Sequence, residues 1–420
     1  MAASAPMLVH VESLQTAVPM HHGRGGKSLP IAVSGPPFTA AELQRRFRAV
    51  LYYRGAGTEV DAVARERAAW VKESLCAALV DHPEMAGRLR RRGDGNDDDD
   101  HGRLWEVKLR DTGVRLVQAS VEATMAEFLE ERGIDRERKE AALALWTDVD
   151  VHECARCSYR YLTRFLDGGY ALGVSCSLLL ADPLSLIGFL KSWARKNTEM
   201  QAQSKHVAHP VIQYTHYIQT PGAAKRVKST STLHTATATA AEDSNTTTVL
   251  FGAPDTTSDH RALAAACVGM ASKRLGGAKE PPRFTVMARD SSKGLHVQTC
   301  GTVDYGDREA CHGHGHGLEA RVAQWSEAGL EDLALEASKP VHVSYSISPR
   351  ADEGLVVVMP AGGAQLLISV TVPNNMKFRS ALLFYSCMMR NLFFSEKCCA
   401  VLLDFFRAVK MRLGPPLPFF

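Results

Sequence analysis

Phe165–Ala194, FLDGGYALGVSCSLLLADPLSLIGFLKSWA, sets the frame for the rest of this chain. Gly168 and Gly169 make a tight turn. Tyr170–Leu180 follows as an apolar run with the length and residue types of a buried strand. Ala181-Asp182-Pro183-Leu184-Ser185 interrupts it, and Leu186–Ala194 then carries apolar residues at helical spacing. Asp182 or Ser185 is available as the helix N-cap. A strand that ends in a polar turn and feeds a helix is a common place for chemistry, because the strand end is rigid and the loop accessible.

Composition narrows the classes. The 420 residues are 45% apolar, enough for large cores, and length alone suggests two or three domains. A formal charge of +3 with no basic face or tail argues against nucleic acid. The ten cysteines are scattered, several of them in apolar runs (Cys76, Cys176, Cys267, Cys387), which reads as a reduced, intracellular protein. The start, MAASAPMLVHVESLQ, has no secretory pattern. No apolar run reaches the length of about 18 residues expected of a spanning helix.

Met7–Thr16 reads as an opening strand and His21–Ser34 as loop. Thr39–Val50 begins with a capping-box pattern, Thr39-Ala-Ala-Glu42, and is predicted helical, with Val50–Tyr53 as strand. Val60–Asp81 is an amphipathic helix with Val63, Ala68, Val71, Leu75, Leu79 and Val80 on one face, stopped by Pro83. Gly93–Gly102 is an acidic loop tip. It lacks the mid-loop glycine and closing glutamate of a calcium loop. Arg103–Arg110 and Val114–Ala119 alternate around Asp111-Thr112-Gly113, a hairpin signal. Ala123–Arg132 is predicted helical. Cys154 and Cys157 read as ordinary strand cysteines on opposite faces.

Beyond Ala194 the composition shifts. Lys196–Asn245 is polar and Ser/Thr/Ala-rich, a crossover between domains. Thr246–Phe251 is a strand and His260–Leu275 a helix closed by Gly276-Gly277. Arg283–Arg289 and Gly294–Cys300 form a hairpin, Leu318–Ala337 a helix, and Val341–Ser348, Leu355–Met359 and Gln365–Thr371 strands. Cys311–Gly317 alternates His with Gly. Three imidazoles in that pattern have no rigid geometry, so no metal site is expected there or elsewhere. Met376–Gly414 reads as two apolar helices interrupted by Arg390, Glu396, Lys397 and Asp404. They pack on the body or meet a membrane or partner.

Several blocks in order resemble the plant BAHD acyltransferases, which move acyl groups from coenzyme A thioesters to alcohols and amines. VKESLCAALVDHPEMAGRLRR (Val71–Arg91) is similar to the family's LKxSLSxxLxxxYPxAGRL block. Phe165–Ala194 is similar to the strand and helix around its H-x-x-x-D-G motif. VDYGDREA (Val303–Ala310) stands where the family carries D-F-G-W-G, and GLVVVMPAGGAQLLISVTVPNNM resembles its closing strands. The resemblance implies an α/β, two-domain chloramphenicol-acetyltransferase-like fold. Each domain is a mixed sheet flanked by helices, with a channel between them. It places an N-terminal domain at 1–195, a crossover at 196–245 and a C-terminal domain at 246–420.

The sequence departs from that pattern at the chemistry. Four residues before Asp182 stands Leu178, not histidine, and Pro183 replaces the glycine after the aspartate. Asp304 and Gly306 keep the structural loop of the second motif, with Asp307 and Arg308 in place of tryptophan and glycine. Acyl transfer to a hydroxyl needs a base as the oxygen attacks the thioester, and leucine has neither a titratable group nor a lone pair. In the family Asp182 would be a structural partner of the turn, through an arginine, and not the base. On a strand Cys176 and Val174 share the face of Leu178, so Cys176 and Leu178 would line the channel. Cys176, a buried thiol with no evident base, is expected inert. His152 is a candidate replacement that the sequence does not place.

The proline after the aspartate, the missing D-F-G-W-G and KPVHVSYSISPRADEGLVVVMP resemble the eceriferum/glossy-type clade. That resemblance implies a role in cuticular wax formation, supporting very-long-chain fatty-acid elongation at the endoplasmic reticulum. Three functions stay open: a non-catalytic accessory protein, an acyltransferase with another base, and a pseudoenzyme regulating a relative. The implied partners are a fatty-acid elongase condensing enzyme and acyl-CoA or a long acyl chain. No bound cofactor, a monomeric state, and a cytoplasmic location with peripheral membrane contact complete the expectation.

Overall fold

The computed structural model describes residues 9–19, 28–31, 33–34, 40–55, 61–91, 105–109, 113–131, 134–144, 155–156, 158–204, 246–255, 260–274, 284–289, 295–300, 320–349 and 354–373. In chain order the elements are β1 (Val9–Ala17), β2 (Ser28–Ile31), β3 (Val33–Ser34), α1 (Ala40–Leu43), β4 (Arg46–Tyr53), α2 (Asp61–Asp81), β5 (Arg88–Arg91), β6 (Trp105–Lys108), β7 (Val114–Val121), α3 (Met125–Glu130), α4 (Ile134–Ala142), β8 (Ala155–Arg156), β9 (Ser158–Arg164), β10 (Tyr170–Ser177) and α5 (Pro183–Ser204). The second half adds β11 (Thr246–Pro254), α6 (His260–Arg274), β12 (Phe284–Arg289), β13 (Leu295–Cys300), β14 (Arg321–Ala323), β15 (His342–Ser348), β16 (Gly354–Gly362) and β17 (Gln365–Pro373).

Two mixed sheets dominate, as expected of this α/β class. The first runs β1-β7-β9-β10-β4-β15 and is antiparallel except where β7 meets β9. The second runs β14-β11-β17-β16-β12-β13-β3, with parallel pairs at β12/β16 and β13/β3. A smaller antiparallel sheet is ordered β2-β6-β5-β8. Each large sheet takes a strand from the other half of the chain. β15 pairs with β4 in the first sheet, and β3 pairs with β13 in the second.

β10 lies between β9 and β4, and all eight of its residues are buried. Its two faces differ in size. Leu172, Val174 and Cys176 enter the largest core with Phe47, Leu51, Leu75, Phe189 and Trp193. That core also holds Met287, Leu355, Val357 and Leu367 of the second sheet, so it joins the two halves. The opposite face carries Ala171, Gly173 and Ser175. There the backbone after α4 comes close, and a Cβ on Gly173 would stand 1.8 Å from the Leu143 carbonyl oxygen. Ser175 Oγ donates to the Ala144 carbonyl at 2.6 Å. A second core packs α6, through Leu263, Cys267 and Ala271, on Phe284, Val286, Val356 and Ile368 of the second sheet.

Several sequence expectations change. The helix predicted over Thr39–Val50 is only α1, and β4 begins at Arg46. Arg46 and Arg48 lie in that predicted helix, yet both are buried in β4. The hairpin predicted around Asp111–Gly113 does not form. β6 pairs with β2 and β5, whereas β7 pairs with β1 and β9 in another sheet. Alternation suits any strand partner, so it did not reveal this one. Leu318–Ala337 is not a helix. β14 pairs with β11, and Glu327 closes the following 3-10 turn by accepting from Arg321 and from the Gln324 N–H at 3.0 Å. Gly329, at φ 73°, ends it. The loop read over His21–Ser34 contains β2 and β3.

On α2, Val63 and Val80 are exposed, while Ala68, Val71, Leu75 and Leu79 are buried. Helix α5 continues to Ser204, into the stretch read as crossover. The helix predicted from Ala123 is α3, whose N-cap Thr124 and Glu127 form a capping box. The hairpin of β12 and β13 forms with Phe284 opposite Cys300.

Candidate functional site at the turn after β10

β10 stops at Ser177, so Leu178 opens a turn and is not the last strand residue. Ser177 organises the turn. Its carbonyl accepts from Leu180 N–H at 3.0 Å and Ala181 N–H at 3.2 Å, and its Oγ accepts from Leu179 N–H at 3.2 Å. Asp182 then caps α5, as the sequence allowed. Its Oδ1 accepts from Ser185 N–H at 2.9 Å and its Oδ2 from Ser185 Oγ at 2.5 Å.

Two arginines tie this turn to the second sheet. Arg289, the last residue of β12, donates from Nη2 to the carbonyls of Leu178 at 3.1 Å and Leu179 at 2.6 Å. Its Nε lies 4.0 Å from Asp182 Oδ2, and both side chains are largely buried. Arg45 works in the other direction. Its carbonyl accepts from Leu178 N–H at 3.1 Å, while its guanidinium donates to Thr285 Oγ1 at 3.2 Å and the Pro349 carbonyl at 3.4 Å. Glu42 neutralises it at 3.1 Å. The arginine expected beside Asp182 is therefore Arg289. Arg45 had no signal, because it stood in a segment that read as helix.

The chemistry of the turn follows from its occupants. Leu178 is 2% exposed and Cys176 0%, and both lie in the core. Cys176 Sγ donates to the Ser177 carbonyl at 3.6 Å. Arg160 stands opposite Val174 on β9, and burial pushes its guanidinium down to about 10, a shift that Cys176 opposes. Asp182 has both oxygens engaged, which suits a structural partner and not a base. Elsewhere burial pushes the Cys267 thiol up to about 12, so it is not a thiolate near neutrality.

Among the described histidines, His10 lies 3.5 Å from Glu122 and His82 packs edge-on against Phe189. His342 sits on β15 beside Arg136 and Ser344. His152, Cys154, Cys157, Asp304, Gly306, the Cys311–Gly317 run and Met376–Gly414 lie outside the described residues. Among the described residues no group of three His, Cys, Asp or Glu is placed to hold a metal. No described helix is long and apolar enough to cross a membrane.

This turn lies inside a segment with recognisable relatives. Residues 49–253 match the Transferase family. The Transferase-family segment runs from within β4 to within β11 and includes Leu178 to Asp182. Protein ECERIFERUM 26-like from Arabidopsis thaliana is 30% identical over 145 residues, 34% of this chain and 31% of that protein. Tryptamine hydroxycinnamoyltransferase 2 from Oryza sativa subsp. japonica is 27% identical over 193 residues, 46% of this chain and 39% of that protein. The aligned stretches thus span between about a third and two fifths of these relatives. The crystal structure of vinorine synthase aligns with 88% of this chain and 96% of its own, at 14% identity and a TM-score of 0.44. The family match and the named relatives support the BAHD acyltransferase resemblance.

Proposed function

We propose that this protein is a BAHD acyltransferase-type scaffold that acts by binding and not by acyl transfer. Its role on this reading is to support very-long-chain fatty-acid elongation for cuticular wax. It does so by binding an elongase condensing enzyme, a long acyl chain, or both, at the endoplasmic reticulum. One observation carries the proposal. Leu178 stands four residues before Asp182, where the resemblance implies the general base, in a turn whose backbone is tied by Arg45, Arg289 and Ser177. A hydrocarbon side chain there has no lone pair to accept the proton that attack on a thioester releases. The likeness to Protein ECERIFERUM 26-like supports the direction toward wax.

Orientation of two bound substrates alone can lower a barrier by about 7–11 kcal/mol, so a base-free transfer has to be tested directly. The assay is release of free CoA from long-chain acyl-CoA across a panel of alcohols and amines, alongside affinity purification from plant tissue. Recovery of elongase subunits with no acceptor-dependent CoA release is the expected result. Acceptor-dependent turnover overturns the non-catalytic reading, and recovery only with a soluble acyltransferase overturns the wax assignment.

A further inference from the structure

β15 is the strand that the second half of the chain lends to the first sheet, and a polar cluster fastens its start. His342 stands opposite Tyr52 of β4, with ring centroids 5.7 Å apart. Glu140 of α4 gathers three donors on one carboxylate oxygen: Ser344 Oγ at 2.6 Å, the Tyr52 hydroxyl at 3.0 Å and Arg136 Nε at 3.0 Å. Arg136 Nη2 donates to His342 Nε2 and lies 3.5 Å from Ser344 Oγ. The cluster thus joins α4, β4 and β15.

His342 Nε2 also lies 3.1 Å from Ser344 Oγ, and its contact with Arg136 favours one protonation state. A guanidinium only donates, so a bond from Arg136 is made only when Nε2 presents its lone pair and the imidazole is neutral. A proton on Nε2 would remove that acceptor and leave two cations in contact. Burial and then Arg136 oppose the proton, while Glu140 from α4 and Glu331 from the segment before β15 favour it. The net effect holds His342 below the ordinary histidine range. Tyr52 and Ser344 complete the surroundings as neutral groups already bonded to Glu140.

The far end of the same strand reaches the candidate site. Ile347 lies opposite Phe47, and just beyond it the Pro349 carbonyl accepts from Arg45, whose own carbonyl holds Leu178 N–H. We propose that His342 is a pH-sensitive latch on β15. Neutral, it is held by Arg136 and keeps the strand on β4. Protonated from solvent at Nε2, it releases the start of the strand and loosens the Arg45–Leu178 contact. The docked strand binds fewer protons than the released one, so docking weakens as the medium becomes acid.

Hydrogen exchange read by mass spectrometry on the full chain, corrected for the intrinsic pH dependence of exchange, tests the latch. Protection of residues 342–348 is expected to fall by up to about tenfold per pH unit below the ordinary histidine range, with β12 and β13 unchanged. H342Q keeps an amide oxygen that accepts from Arg136, and its β15 protection is expected to stay flat. A wild-type strand insensitive to pH, or H342Q losing protection equally, overturns the proposal. Should H342Q not fold, NMR titration of the wild-type ring decides. A His342 pKa below the ordinary range is required, and one above it overturns the latch.

Discussion

Arg289 at the end of β12 holds the turn that precedes Asp182. It donates to two successive carbonyls, Leu178 and Leu179, and lies 4.0 Å from the Asp182 carboxylate. One guanidinium thereby satisfies the start of the turn and the charge of the residue that caps α5. The contact is also a bridge between the two large sheets, since β12 is in the second and β10 in the first.

R289A leaves a buried carboxylate and two carbonyls without this partner. A loss of about 3–5 kcal/mol in unfolding free energy is expected, measured by denaturant titration. D182A removes the cap as well as the charge. In a double-mutant cycle the combined loss should fall short of the sum by about 1–3 kcal/mol, because the two side chains act on the same turn. Additive losses would mean that Arg289 and Asp182 act independently.

L178H places an imidazole where leucine is 2% exposed and the neighbouring backbone is already paired. A polar ring without a waiting partner costs about 1–3 kcal/mol. A lower denaturation midpoint is expected, and no gain in stability at any pH. A midpoint unchanged or raised would show that a histidine-compatible partner already faces this position.

Gly173 gives a purely steric test of the small-residue face of β10. A Cβ there meets the Leu143 carbonyl oxygen at 1.8 Å, and backbone cannot swing aside as a side chain can. G173A is expected to destabilise by about 1–3 kcal/mol or more through displacement of the segment after α4. Thermal melts of G173A beside G188A, where a Cβ meets nothing within 4 Å, separate this clash from a general effect of alanine.

Stability should also depend on pH through His342. Folding lowers its pKa, so the unfolded chain binds the extra proton first as pH falls. The contribution is fully present above the ordinary histidine range and is lost as pH falls below it toward the lowered folded-state value. Thermal midpoints of wild type should therefore drop on moving from neutral to mildly acid buffer more than those of H342Q, and equal drops would assign the effect to other groups.

Much of the architecture was legible in local patterns, because β10, α2, α6, β12 with β13, and the closing strands each carry a strong periodic signal. The strand-turn-helix around Asp182 was legible, with Asp182 or Ser185 as its cap, but the strand was read to Leu180 and ends at Ser177. What sequence did not reveal were facts about partners. The β6–β7 pattern fitted a hairpin, but its strands went to different sheets. Arg46 and Arg48 stand in a segment that read as helix, and only the assembled sheet buries them. Arg289 and Arg45 became site residues through long-range contacts that no local spacing encodes. Ser344 and His342 met Glu140 and Arg136 only because β15 crosses into the first sheet.

On the proposed function, a transferase-type scaffold with Leu178 four residues before Asp182 binds acyl-CoA without transferring the acyl group. The direct measurement uses one preparation of the full chain with long-chain acyl-CoA. Equilibrium binding is read by calorimetry, and free thiol release is followed with and without alcohol or amine acceptors. Saturable binding with thiol release at the protein-free rate is the expected result. Acceptor-dependent release of CoA, in proportion to the amount of protein and with formation of the ester or amide, would contradict it.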